Sequence, residues 1–377
     1  MSSPRSAFEP ARSREFPHLA SIVSLAVACS GGQETTASDS STEPASTTGQ
    51  ASTSVTSEAG STSNLSDTSA ITTSTTIETG STTDDPSPPP ELTVLATGFP
   101  RSRPIAVHGE YVYWGAAGPP MPMEDNGKIL RVPQLGGTVE ALVAGLKFPS
   151  DLKVLGNQLF WIDTESGDVM RANLDGTQTA PLAQGYFAGE SIDGGDQFAY
   201  WVAGGGSQRL ARVPLVGGIA EDLVSNLDKP SSVITLPDSI LWLEGGGTNQ
   251  LRSIPKLGGM ISSLGESGGV PRSLVKDDEY VYWVSTAEGA VRRVPIGGGI
   301  VEIVVQGTVA PFGLAVDDTN IFWTSTLGSV YYVHKDGGRI SLLVEGLMRP
   351  ERIALTASHV YFTDFDAGEV LRIGKPM

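Results

Sequence analysis

Seven residues able to do chemistry occupy one repeated place in the chain, each eleven positions ahead of an aromatic residue: Arg103, Ser150, Glu190, Ser231, Arg272, Phe312 and Glu351. Their types change from repeat to repeat while much of the surrounding pattern recurs. A repeat keeps the residues that build its fold and is free to vary the others. Charge, hydroxyl and aromatic ring at equivalent places suit recognition of a small molecule or peptide. Asp151 and Arg352 adjoin this set, as do Lys147, Phe187, Lys229 and Arg349. The competing reading makes all of them solvated loop side chains.

Signals for catalysis are thin. There is no nucleophile elbow and no paired-histidine zinc motif. The histidines are His18, His108, His334 and His359, the last three near expected strand ends or turns and expected to be exposed. Closely spaced carboxylates occur in DTESGD (Asp163, Glu165, Asp168), DGGD (Asp193, Asp196) and DFDAG (Asp364, Asp366). Such oxygens can hold calcium, but the same residues commonly form turns; no other cofactor is implied. Arg131, Arg171, Arg212, Arg293 and Arg372 recur two residues ahead of a hairpin, with Ser253 and Tyr332 as exceptions. They read as a basic ring for an acidic ligand, or as a structural contact whose stem covers apolar surface.

The elements that must position these residues follow from the period. The aromatics Trp114, Trp161, Trp201, Trp242, Trp283, Trp323 and Phe362 are separated by 47, 40, 41, 41, 40 and 39 residues. Such a constant period marks one supersecondary unit repeated; the long first step holds the insertion GPPMPMED. Each unit contains four short runs rich in Val, Ile, Leu, Tyr and Trp, separated by turn residues. The third and fourth are joined by VPQLGG, VPLVGG, IPKLGG, VPIGGG or VHKDGG, in which glycine supplies the positive φ of a tight hairpin. Each unit is therefore a four-stranded antiparallel meander.

A meander with two apolar faces cannot fold alone, and packing several around an axis buries both faces. The expected fold is an all-β β-propeller over 91–377 with seven blades, or six if one unit is irregular. The last unit stops at VLRIGKPM, where the others continue into a fourth strand. The run ELTVLATGF resembles that missing strand, so residues 91–97 are expected to complete the last blade and close the ring. Closure removes an exposed sheet edge.

The 377-residue chain carries a formal net charge of −17, which argues against nucleic acid as a partner. LASIVSLAVACSGG, preceded by Arg5, Arg12 and Arg14, reads as a secretory signal. Its ending LAVAC resembles a bacterial lipobox, which implies lipidation of Cys29 and places the signal at 1–29. Residues 30–90 are Ser/Thr-rich, have few large apolar side chains and are expected to form a disordered linker. Together these place the protein in the bacterial cell envelope, lipid-anchored or secreted. Contact with a membrane is expected through the anchor only, and the head is expected to be a monomer.

FWID (160–163) and YFTD (361–364) resemble the YWTD repeats of the LDL-receptor class B type, and the repeat as a whole resembles the wider TolB-like propeller group. YWTD propellers have six blades, and the other aspartate places here hold Ala116, Ala203, Glu244, Ser285 and Ser325. The resemblance implies a propeller whose ligands meet one rim of the central channel. The expected role is a binding or scaffold head for an unidentified protein, peptide or glycan. The alternative is a metal-dependent hydrolase resembling the propeller lactonases, to which Glu190 and Asp151 could contribute.

Overall fold

The computed structural model describes residues 91–120, 125–195, 197–206 and 208–376. Cys29, the signal and linker segments and Asp196 lie outside the described residues. Within these, 28 strands form seven four-stranded antiparallel sheets, with no helix among the described residues. The count is seven blades, not the six of the YWTD type. Six blades are consecutive in sequence. The seventh takes Pro350–Leu355, His359–Asp364 and Glu369–Gly374 from the C-terminal end, and its outer strand is Thr93–Ala96. Thr93 pairs with Arg372, Val94 with Leu371 and Ala96 with Val370. This is the closure that the orphan run predicts.

The second strand of each blade contains the aromatic. In all seven, every residue after the first is buried, without the alternation of a half-exposed sheet. The cause is contact on both faces. The buried apolar residues fall into seven clusters, and each joins two neighbouring blades. Trp201 packs with Phe160 and Ile162 of the preceding blade. Trp242 packs with Tyr200 and Val202. At the seam, Leu95, Ala96, Tyr361 and Val370 of the last blade enclose Val112 and Trp114 of the first. The core lies between blades, so no blade possesses one of its own.

The recurring arginines add a polar stitch to this core. Arg131 donates to the Leu174 carbonyl, Arg171 to Leu215, Arg212 to Lys256, Arg293 to Lys335 and Arg372 to Gln134. Every acceptor belongs to the third-to-fourth-strand hairpin of the following blade, and the last stitch crosses the seam. Arg131, Arg212 and Arg293 also pair with Glu140, Glu221 and Glu302 and lie over the rings of Tyr111, Phe198 and Tyr280. The structural-contact reading of these arginines therefore holds. The hairpins reach the stitch through glycine pairs such as Gly217 and Gly218, at φ +94° and +149°.

Lysine cannot reproduce the planar fork that serves a carboxylate, a carbonyl and a ring face together. Arg293→Lys is expected to lower the unfolding free energy by about 1–2 kcal/mol, measured by urea denaturation. Arg339→Lys, on an exposed part of a hairpin, is expected to leave it within about 0.5 kcal/mol.

Candidate ligand-binding site

The first strands of the blades line a central channel. They are Ser102–His108, Pro149–Leu155, Gly189–Gly194, Pro230–Thr235, Pro271–Lys276, Pro311–Val316 and Pro350–Leu355. All seven begin on one face, here called the mouth, which they share with the loops between blades. Every one has a register irregularity within its first five residues. A bulge re-aims side chains at a rim. The second residues of these strands are the variable set singled out above, and Asp151 and Arg352 are third residues.

Three of those residues serve as ties between blades. Ser150 Oγ donates to the Gly189 carbonyl at 3.1 Å, and Ser231 Oγ to the Pro271 carbonyl at 2.6 Å. Asp151 Oδ2 accepts the Ile192 N–H at 3.0 Å. Ser191 and Ser232 repeat the Asp151 contact with Val233 and Leu274. These hydroxyls and this carboxylate fix the channel wall, which encloses about 330 Å³.

Others gather around Phe312, which is only 8% exposed. The guanidinium carbons of Arg272, Arg352 and Arg103 lie 5.1, 5.5 and 5.6 Å from its ring centroid. Glu351, 2% exposed, is held between Arg103 Nε at 3.1 Å and Arg349 Nη2 at 3.0 Å. The Arg103 contact is close but lacks the alignment of a hydrogen bond. Arg352 donates to Ser273 Oγ at 3.3 Å, and its buried Nε has no partner. Gly313 permits this close packing, since a Cβ there would stand 2.1 Å from the Glu351 carbonyl oxygen. Glu190 interacts with Arg103 and Arg272 only through its field, with no ion pair formed among the described residues.

Burial, and then the neighbouring Arg352, push Arg103 down to about 10, against the pull of Glu351 and Glu190. Burial likewise lowers Arg272. For a base, a depressed folded value means that charging costs the folded state. That cost is fully present below about pH 10 for Arg103 and fades as pH rises toward its unfolded value. At neutral pH the mouth is thus charged at the expense of stability.

Backbone strain lies in the same place. Arg101, Ala188, Lys229, Val270 and Ala310 have φ between +45° and +60°. Each stands two residues ahead of a ring residue, and non-glycine residues, above all a β-branched valine, resist this region. Strain of this kind concentrates at functional sites. Sequence reading missed two members of the mouth: Phe148, with Arg101 stacked over it at 4.6 Å and Arg103 at 5.9 Å, and Arg101 itself. An aromatic immediately ahead of Pro149 was the available signal. Lys147 and Phe187 are exposed, outside the Phe312 cluster.

Three of the loop carboxylates, Asp163, Asp193 and Asp364, act structurally. Asp163 accepts the Lys147 and Phe148 N–H groups, and Asp364 those of Met348, Arg349 and Ala367. The aspartate of the aromatic motif thereby anchors the loop that carries the mouth residues. Asp193 accepts the Thr235 N–H at 2.7 Å. Among the described residues no three His, Cys, Asp or Glu side chains are grouped to hold a metal. His108, His334 and His359 sit at strand ends on the face opposite the mouth; the first two are exposed and His359 is half-buried, a correction to the expected exposure. The stretch Gly265–Gly269 spells G-x-S-x-G by residue type. Its Ser267 is fully buried, donates to the Glu244 carbonyl, and lacks the strand-to-helix turn of a nucleophile.

No protein-family model and no curated protein matches the chain. Solved structures do. Virginiamycin B lyase from Staphylococcus aureus, as a catalytically inactive histidine-to-alanine variant with quinupristin, is 14% identical with a TM-score of 0.63, covering 76% of this chain and 100% of that one. A streptogramin B lyase is 14% identical, with a TM-score of 0.61 over 76% and 97%. The computationally designed Ika8 protein is 15% identical, with a TM-score of 0.55 over 75% and 98%. At these identities the likeness establishes the propeller fold.

An unpaired, desolvated cation and a paired, buried anion should respond oppositely to removal. Arg272→Met is expected to raise the unfolding free energy by about 0.5–1 kcal/mol. Glu351→Gln, which leaves Arg103 and Arg349 without their carboxylate, is expected to lower it by about 3 kcal/mol. Thermal and urea unfolding of the two variants checks both signs.

Proposed function

We propose that the protein is a recognition module of the bacterial cell envelope, tethered by its Ser/Thr-rich segment and lipidated at Cys29, with its ligand taken at the channel mouth. One observation carries the recognition reading: Arg103, Arg272 and Arg352 converge from three blades on Phe312, with donors left unpartnered. The stitch arginines Arg131, Arg212 and Arg293 each serve a carboxylate, a carbonyl and a ring together. Those at the mouth do not.

The outer strand of the last blade, Thr93–Ala96, begins on the face opposite the mouth, since it runs antiparallel to Glu369–Gly374. The tethering itself rests on composition and on the lipobox-like ending at Cys29. The alternative, a channel-mouth hydrolase or a lyase like the solved neighbours, draws less support. The mouth carboxylates Asp151 and Glu351 are committed to backbone and arginine, and no described histidine reaches that face.

Two measurements test the reading. Radiolabelled palmitate is expected to enter the wild-type chain and not Cys29→Ser; equal label in both removes the anchor. A screen of peptides and glycans of all charges is expected to find ligands whose binding falls by tenfold or more, about 1.4 kcal/mol, in Phe312→Ala. Ligands indifferent to Phe312 place recognition elsewhere.

A further inference from the structure

Around Phe312 and Glu351 the mouth holds four guanidiniums, from Arg103, Arg272, Arg349 and Arg352. The acidic groups facing them are Glu351, Glu190 and Asp366, the last 4.0 Å from Arg349. Around Phe312 the guanidiniums of Arg103, Arg272 and Arg352 thus meet one ion-paired carboxylate, Glu351, in a chain whose formal charge is −17. Glu351 is already shared by Arg103 and Arg349, so it cannot neutralise the other two.

Arg272 makes no hydrogen bond and no ion pair among the described residues; its contact is the face of Phe312. Arg352 lines the channel and uses one N–H, on Ser273, while its buried Nε has none. The face of a ring attracts a cation weakly compared with an oxyanion. A guanidinium offers five donors in a rigid fork, which matches the paired oxygens of carboxylate or phosphate. Partly desolvated donors of this kind, held on a rigid ring, are preorganised for an oxyanion and unfavourable without one. Glu190, on the third blade, attracts Arg272 across the mouth without closing on it.

The geometry points to a built oxyanion site: Arg272 and Arg352, supported by Arg103, bind the carboxylate or phosphate group of a ligand that enters the mouth over Phe312. This assignment rests on the reading of the mouth as the recognition surface and names the chemistry recognised there. The apolar ring of Phe312 beneath the three cations would contact the body of the ligand next to its charged group. Committing Glu351 to Arg103 and Arg349 keeps the internal carboxylate from filling the place of the ligand.

The test is calorimetric titration of the purified full-length chain with pyrophosphate and with citrate, against chloride matched in ionic strength. One equivalent is expected to bind saturably. The tighter of the two probes assigns phosphate or carboxylate as the source. Arg272→Gln and Arg352→Gln are each expected to weaken binding about tenfold or more. Arg339→Gln, on the opposite face, is expected to leave it within about twofold. Thermal unfolding of each variant excludes misfolding as the cause. Absence of saturable binding by either anion overturns the inference, as does equal binding by the mouth variants and the wild type. If neutral or cationic ligands still bind in a Phe312-dependent way, the recognition reading stands and the oxyanion assignment alone fails. If no ligand of any charge depends on Phe312, the recognition reading fails with it.

Discussion

The structure depends on burial between blades. A four-stranded sheet whose central strand is apolar on both faces has no interior of its own. Each of its faces must be covered by the next sheet, and that sheet has the same need. The only arrangement that leaves no face uncovered is a closed ring. The seven clusters, each shared by two blades, are the direct expression of this constraint. The arginine stitches follow the same logic, since each one leaves its own blade to reach the next hairpin. Because neighbours share the core, the seam between the first and last blades must be as well packed as any other, and Leu95 and Ala96 supply that packing.

A ring so constrained is rigid, and rigidity permits an unfavourable feature at its centre. The mouth gathers left-handed non-glycine residues, a buried glutamate and guanidiniums with unpartnered donors. None of these would persist on a mobile loop, where the charges would separate into water and the strain would relax. They persist here because serine, threonine and aspartate side chains tie most of the channel strands to a neighbouring blade. Thr324 and Thr363, for example, donate to the carbonyls of Glu351 and Arg103. The same ties thus support the fold and hold the charged ring in place.

Much of this was legible in the sequence. The period of the tryptophans, the glycine pairs and the orphan strand at 91–97 indicated the blade, the closure and a count of seven, with six left open. They are legible because a repeat writes the same local requirement many times. The ring position eleven residues ahead of each aromatic was also visible. What each member does there was not. Ser150 and Ser231 have the same residue type, place and role, whereas Arg272 and Glu351 at equivalent places differ completely in environment. Which side chains converge depends on distances across the channel, between blades remote in sequence, and periodicity carries no information about those. The role of Asp163 and Asp364 as loop anchors was likewise hidden behind their resemblance to oxygen ligands.

The most direct test of the closed-ring account is amide hydrogen exchange on the full chain and on a chain that begins at Gly98, without the closing strand. Loss of that strand uncovers the outer edge of Glu369–Gly374 and the packing around Trp114. The account predicts that protection falls in both the last and the first blade, at Val370–Ile373 and at Val112–Trp114, and that unfolding occurs at lower urea concentration. Full protection of those two segments in the shortened chain, with an unchanged unfolding midpoint, would contradict it.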